Sequence, residues 1–166
     1  MKEKASLRNR SGIVFAVLSV LMIAFAFIHS SMNADTSSAE SDGIEKLIMN
    51  ILRLFGISDI PHISLRKIAH FSEFTVIGAL LCCTAHSFFS KKTYRMAPLV
   101  LLIGLLCGLC DETIQIFSEG RASLVTDVWI DFSGVVTGTA LILLLFLIID
   151  RIKQKRGLKK TNESKS

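Results

Sequence analysis

Apolar residues gather in four long runs, at 12–28, 68–89, 96–117 and 125–149, separated by polar connections. Each approaches the ~20 residues that a helix needs to cross the hydrocarbon core of a bilayer. The fourth run is apolar almost throughout, whereas the second and third carry ionisable groups inside them. The pattern predicts an all-α fold, an integral membrane bundle of four transmembrane helices. Between the first two runs the chain changes character. The first half of segment 29–67, rich in Ser, Asp and Glu, reads as solvated chain. In the second half Ile44, Leu47, Ile48, Ile51, Leu52 and Phe55 recur at helical spacing and predict an amphipathic external helix over 43–55, ending at Gly56. It either packs on the bundle or lies in the outer membrane interface. The first run also has the form of a secretory signal cleaved near Ala34. Met32, large where a signal peptidase site wants a small side chain, favours a retained anchor.

Composition supports this reading: 51% of the 166 residues are hydrophobic, and the mean hydropathy is +0.52. The net charge of +5 does not point to nucleic acid, because the basic residues sit mainly in short segments beside apolar runs. They orient the bundle instead. With both termini on one side, that side holds fourteen of the nineteen Lys and Arg residues. The other side and its span ends gather eleven of the fourteen acidic ones. Cationic loops resist translocation, so both termini, 1–11 and the basic tail 151–166, are expected in the cytoplasm. Cys82, Cys83, Cys107 and Cys110 all fall inside apolar runs, where Cys107-x-x-Cys110 reads as packing rather than a redox dithiol. His86 is expected at the inner interface.

Charges inside a bilayer are costly and need a reason. Lys67, His70 and Glu73, at intervals of three with Arg66 beside them, share a stripe on the second span. Glu73 falls about 7 to 10 Å below its outer end at 1.5 Å per residue. The third span ends outward with Asp111, Glu112 and Gln115, and the fourth begins there with Asp127 and Asp131, Arg121 preceding it. All reach one level. Asp127, Asp131, Gly134 and Gly138 occupy one helix face, carboxylates above and a Gly-x-x-x-Gly packing motif below. Five carboxyls against Arg66, Lys67 and Arg121 leave two negative charges over, which calls for a bound cation, a protonated His70 or neutral carboxyls. No resident cofactor is predicted. A divalent cation held by His70 and the carboxylates is the one candidate, without zinc-type spacing.

These same residues carry a family resemblance. Arg66-Lys67-Ile-Ala-His70-Phe71-Ser-Glu73-Phe74 leading to Gly78 resembles the first signature of the VanZ-like membrane proteins. Asp111-Glu112-x-x-Gln115-x-Phe117, Gly120-Arg121, Asp127, Asp131, Gly134 and Gly138 resemble the second, so that 68–138 forms a VanZ-like core and 139–150 completes the last span. Two positions depart from the pattern: Phe74 stands where the family usually has Tyr, and Asp131 where it usually has Asn. The family's named member is associated with resistance to the glycopeptide teicoplanin, so the resemblance implies a role in the cell envelope of a Gram-positive type of bacterium.

Three functions fit these residues. In the first, a non-catalytic envelope module, the charges form an ion-pair network that holds the bundle, and the protein acts in glycopeptide resistance or another envelope process. In the second, the cluster is an acid–base site for a lipid-linked envelope molecule. Glu73 or His70 would then serve as base, Asp111 or Glu112 as acid, with Asp127 a further catalytic candidate. Arg66, Lys67 and Arg121, with Gln115 and Asp131, would bind the substrate. The third, proton- or ion-coupled transport, draws on the intramembrane carboxylates, lacks a polar file to the inner half, and would need dimerisation through Gly134 and Gly138. Expected partners are membrane lipids, a lipid-linked precursor or glycopeptide-related ligand and a second copy of the chain, with no nucleic acid.

Overall fold

The computed structural model describes residues 2–31, 65–89, 93–118 and 124–163, with side chains over 9–31, 67–89, 93–118 and 124–156. The expected external helix at 43–55 and Arg121 lie outside the described residues, as does the side chain of Arg66. Four helices make up the described chain: α1 Lys2–Ser31, α2 Leu65–Phe89, α3 Thr93–Ile116 and α4 Val125–Glu163. Each contains a stretch long and apolar enough to cross a membrane: Asn9–Ser31, Lys67–Phe89, Thr93–Ile116 and Val125–Arg156. At 1.5 Å per residue, the shortest of these spans about 34 Å, more than the ~30 Å hydrocarbon core. The protein is a multi-pass membrane protein. Both outer helices run past their apolar runs, α1 to Ser31 and α4 through the basic tail to Glu163.

The helices alternate in direction, because the end of α1, the start of α2, the end of α3 and the start of α4 meet at one pole. Ser30 touches Asp111 there, and His70 touches Asp131. At the opposite pole Gly12 of α1 faces the Phe88 ring of α2, and the His86 ring stacks on Phe146 at 3.7 Å while Nδ1 lies 2.9 Å from the Thr93 hydroxyl. Lipid-facing sides are apolar: Val17, Val20, Leu21, Leu102, Leu106, Leu144 and Leu147 are all exposed on the bundle surface. In a bilayer that is where the hydrocarbon solvent is.

With acyl chains outside as apolar as leucine inside, close packing rather than hydrophobic burial must bind helix to helix. The pairing of α2 with α4 is the most extensive, and glycine makes it. A Cβ at Gly138 would fall onto the Thr75 carbonyl oxygen, and one at Gly134 would sit 2.5 Å from the Phe71 carbonyl oxygen. Gly78 meets the Val135 backbone from the other side. The Gly-x-x-x-Gly face expected for packing is therefore spent within the chain, against α2, and is not free to join a second copy. Beneath the polar pole, Ala26, Phe74, Ile77 and Val135 form a dry core layer.

Candidate functional site

His70, on the second turn of α2, is the centre of the polar pole. Its Nδ1 lies 3.4 Å from Oδ1 of Asp131 on α4 and 3.5 Å from Oδ2 of Asp111 on α3. The three side chains are nearly sealed, at 7% exposure for His70, 0% for Asp111 and at most 1% for Asp131. Their ligand-type atoms lie within 4.8 Å of one another. Asp111 Oδ2 accepts hydrogen bonds from the Ser30 hydroxyl and the Gln115 amide, each 2.8 Å. Oδ1 of Asp111, both oxygens of Asp131 and Nε2 of His70 are buried without a hydrogen-bond partner among the described residues. Such atoms normally find partners, and leaving them bare costs about 1–3 kcal/mol each.

Room for Asp131 comes from α3. A Cβ at Gly108 would sit 3.3 Å from Asp131 Cβ, so a larger residue there would crowd the carboxylate. Phe74 is fully buried one turn below and forms part of the core. Its lack of a hydroxyl is consistent with that dry setting.

A second pair flanks this centre. His29 of α1 lies 3.1 Å from Glu73 Oε1 through Nδ1, and its ring stacks on His70 with centroids 6.4 Å apart. Both side chains are partly open, 22% and 13% exposed. At the rim, Lys67 Nζ lies 3.3 Å from Asp127 Oδ1. Lys67, His70, Glu112, Asp127, Ile130 and Asp131 line a crevice of about 10 Å³, room for one water-sized occupant. Glu112 also accepts the Leu124 backbone N–H at 3.2 Å, tying the start of α4 to α3.

Of the residues singled out from the sequence, His70, Glu73, Asp111, Glu112, Gln115, Asp127, Asp131 and Lys67 meet at one pole. Arg66 takes its place on α2 by its backbone, and Gly134 and Gly138 pack the helices below. Of the three cations expected in an ion-pair network, Arg121 and the side chain of Arg66 lie outside the described residues. Among the described residues, His70 pairs with both Asp111 and Asp131, and Ser30 and Gln115 donate hydrogen bonds to Asp111. The Lys–carboxylate pair is Lys67 with Asp127 at the rim.

The sequence reading missed α1. His29 and Ser30, placed there at the start of the external segment, belong to the helix and supply two of the site's polar groups, and Ser118 donates to the Ser30 carbonyl at 3.0 Å. One signal was available: a polar His-Ser pair at the end of the first apolar run, at the depth where the other three runs carry theirs. Gly108 was also passed over, although Gly104 and Gly108 repeat the spacing of four seen on α4.

The cysteines are free thiols, as their apolar setting implied. No match was found for the chain among curated proteins or solved structures. The sequence profile of the VanZ/LLP1 family matches residues 15–147. That stretch runs from α1 to α4 and takes in every residue of the pole described above. The four helices are thus one family module, and the chain belongs to the VanZ/LLP1 family.

Proposed function

We propose that this protein is a membrane enzyme of the bacterial cell envelope. It works at the extracytoplasmic end of the bundle, where acid–base chemistry acts on the polar head of an amphiphilic or lipid-linked molecule. One observation carries the reading: His70, Asp111 and Asp131 are almost wholly buried, yet several of their polar atoms lack partners. A scaffold of charges serves its purpose only when fully paired, because each unpaired buried group opposes folding. Unpaired groups converging beside a crevice are the mark of a site that is completed by what it binds.

The roles follow from exposure. Lys67, the most open of these groups, meets an anionic or polar head at the rim. Glu73, oriented by His29, takes or returns the proton, since general acid–base work needs a positioned, accessible carboxyl. The buried centre around His70 holds the reacting group. An extracytoplasmic position rests on the bias of Lys and Arg to the other pole. Such an activity would alter the lipid or wall-precursor pool, and changed teicoplanin susceptibility would follow from that change.

The test uses the purified full chain in liposomes, offered phospholipid, polyprenyl phosphate and glycolipid, with head-group release followed by mass spectrometry. One of these is expected to turn over, with a loss of about 100-fold or more in Glu73→Gln. Absence of product from all three, or undiminished product in Glu73→Gln, overturns the enzyme reading and returns the protein to a non-catalytic envelope role.

A further inference from the structure

We infer that His70, Asp111 and Asp131 bind a divalent cation of the manganese or magnesium class, which ligates a phosphate oxygen of the head group. The inference deepens the enzyme reading above and rests on it for the substrate class, though not for the metal.

Ligand geometry comes first. Two oxygens and a nitrogen each about 2.1 Å from an ion, at angles near those of an octahedron or tetrahedron, lie about 3.0 to 3.4 Å apart. Nδ1 of His70 is 3.4 Å from Asp131 Oδ1 and 3.5 Å from Asp111 Oδ2. One ligand-type atom from each of the three residues lies within 4.8 Å of the other two, close enough for them to close on one centre. Each comes from a different helix, so the rigid bundle positions them.

Charge makes the same demand. Two carboxylates this deep, sharing one imidazole, concentrate negative charge in a low-dielectric layer. A divalent ion with a neutral imidazole offsets it in full. Asp131 Oδ2 and Asp111 Oδ1, buried with no hydrogen-bond partner among the described residues, are the independent sign of a missing occupant, since both side chains are fully buried. Ser30 and Gln115, donating to Asp111 Oδ2, orient that carboxylate as outer-sphere partners orient metal ligands elsewhere. The adjoining crevice admits one small occupant.

The donor set also selects the ion and its use. Two carboxylates and one imidazole suit manganese or magnesium better than soft, thiolate-loving ions, and Cys107 and Cys110 stay outside the set. Three protein ligands leave coordination positions open. An ion with open positions, next to a rim lysine, polarises an anionic oxygen. Phosphate-bearing lipids fit that chemistry, whereas a neutral glycolipid offers no anionic oxygen.

Mn2+ added to the chelator-treated full chain in detergent micelles provides the test, read by electron paramagnetic resonance. One saturable Mn2+ per chain is expected, and pulsed spectra should show nitrogen coupling from an imidazole. Asp131→Asn should weaken binding at least about tenfold, and His70→Gln should abolish the nitrogen coupling. Asp150→Asn, at the other pole, should leave both unchanged. Absence of saturable binding, or Mn2+ without nitrogen coupling in the unaltered chain, overturns the inference and needs no variant to fold. Lipid turnover separates the two claims: turnover that survives chelation sinks the metal and keeps the enzyme. Bound Mn2+ with imidazole coupling but no lipid product keeps the metal and sinks the enzyme.

Discussion

Asp111 takes two hydrogen bonds on one oxygen and none on the other, and this asymmetry shows how the site is braced. The Ser30 hydroxyl reaches it from α1 and the Gln115 amide from one turn further along α3. Ser30→Ala should therefore cost about 1–2 kcal/mol, measured as a lower thermal midpoint of the detergent-solubilised protein. Lys67 should behave in the opposite way. Its pair with Asp127 at 3.3 Å is open to solvent, 39% exposed on the lysine side. Lys67→Ala should change stability by less than about 1 kcal/mol while lowering the anionic lipid that co-purifies with the detergent-solubilised protein, read by mass spectrometry. Convergence of His70, Glu73, Asp111, Asp127 and Asp131 was legible in the sequence, because helical intervals and span direction put them at one depth. The pairing of His70 with two aspartates was not, because helix rotation about its own axis is set by packing contacts that periodicity does not record.

At the scale of elements, glycine decides how near α4 can come to α2. The three positions tested by an added methyl differ in what they meet, and the costs should rank accordingly. Gly138→Ala pushes on the Thr75 backbone, which cannot step aside, and should cost about 1–3 kcal/mol. At Gly12 the neighbour 2.9 Å away is the tip of the Phe88 ring, a side chain that can swing, so Gly12→Ala should be nearly silent in the same unfolding assay. Gly108→Ala lies between them in stability. Its methyl presses on Asp131, so it should weaken Mn2+ binding more than it lowers the thermal midpoint. The Gly134 and Gly138 spacing announced a packing face from the sequence alone. Its partner was not announced, since a small-residue motif is the same whether the approaching helix belongs to the same chain or another.

For the whole molecule, four alternating helices put the start of α1 and the end of α4 at the same pole, and the charge count sets the orientation to be tested. A cysteine placed at Arg121 in a cysteine-free background should react with membrane-impermeant maleimide in intact cells. One placed at Lys160 should react only after permeabilisation. The reverse pattern would put the polar pole in the cytoplasm. Four spans were readable because ~20-residue apolar runs leave few other structures open to a chain. The contribution of α1 to the site was hidden by the same logic: a run judged by its hydropathy reads as an anchor, and its two polar terminal residues look like the start of a loop.

The core layer of Ala26, Phe74, Ile77 and Val135 lies directly under the polar pole. Further down, the buried hydroxyls of Ser19 and Ser87 donate to carbonyls of their own helices, Phe15 and Cys83, and Ser19 also lies 3.5 Å from the Thr84 hydroxyl on α2. Among the described residues this apolar layer separates the polar pole from the hydroxyls below, so protons, ions and head groups are expected to exchange with the pole's own side of the membrane. Turnover should consequently be indifferent to the electrical gradient across the membrane, unchanged when an ionophore collapses it.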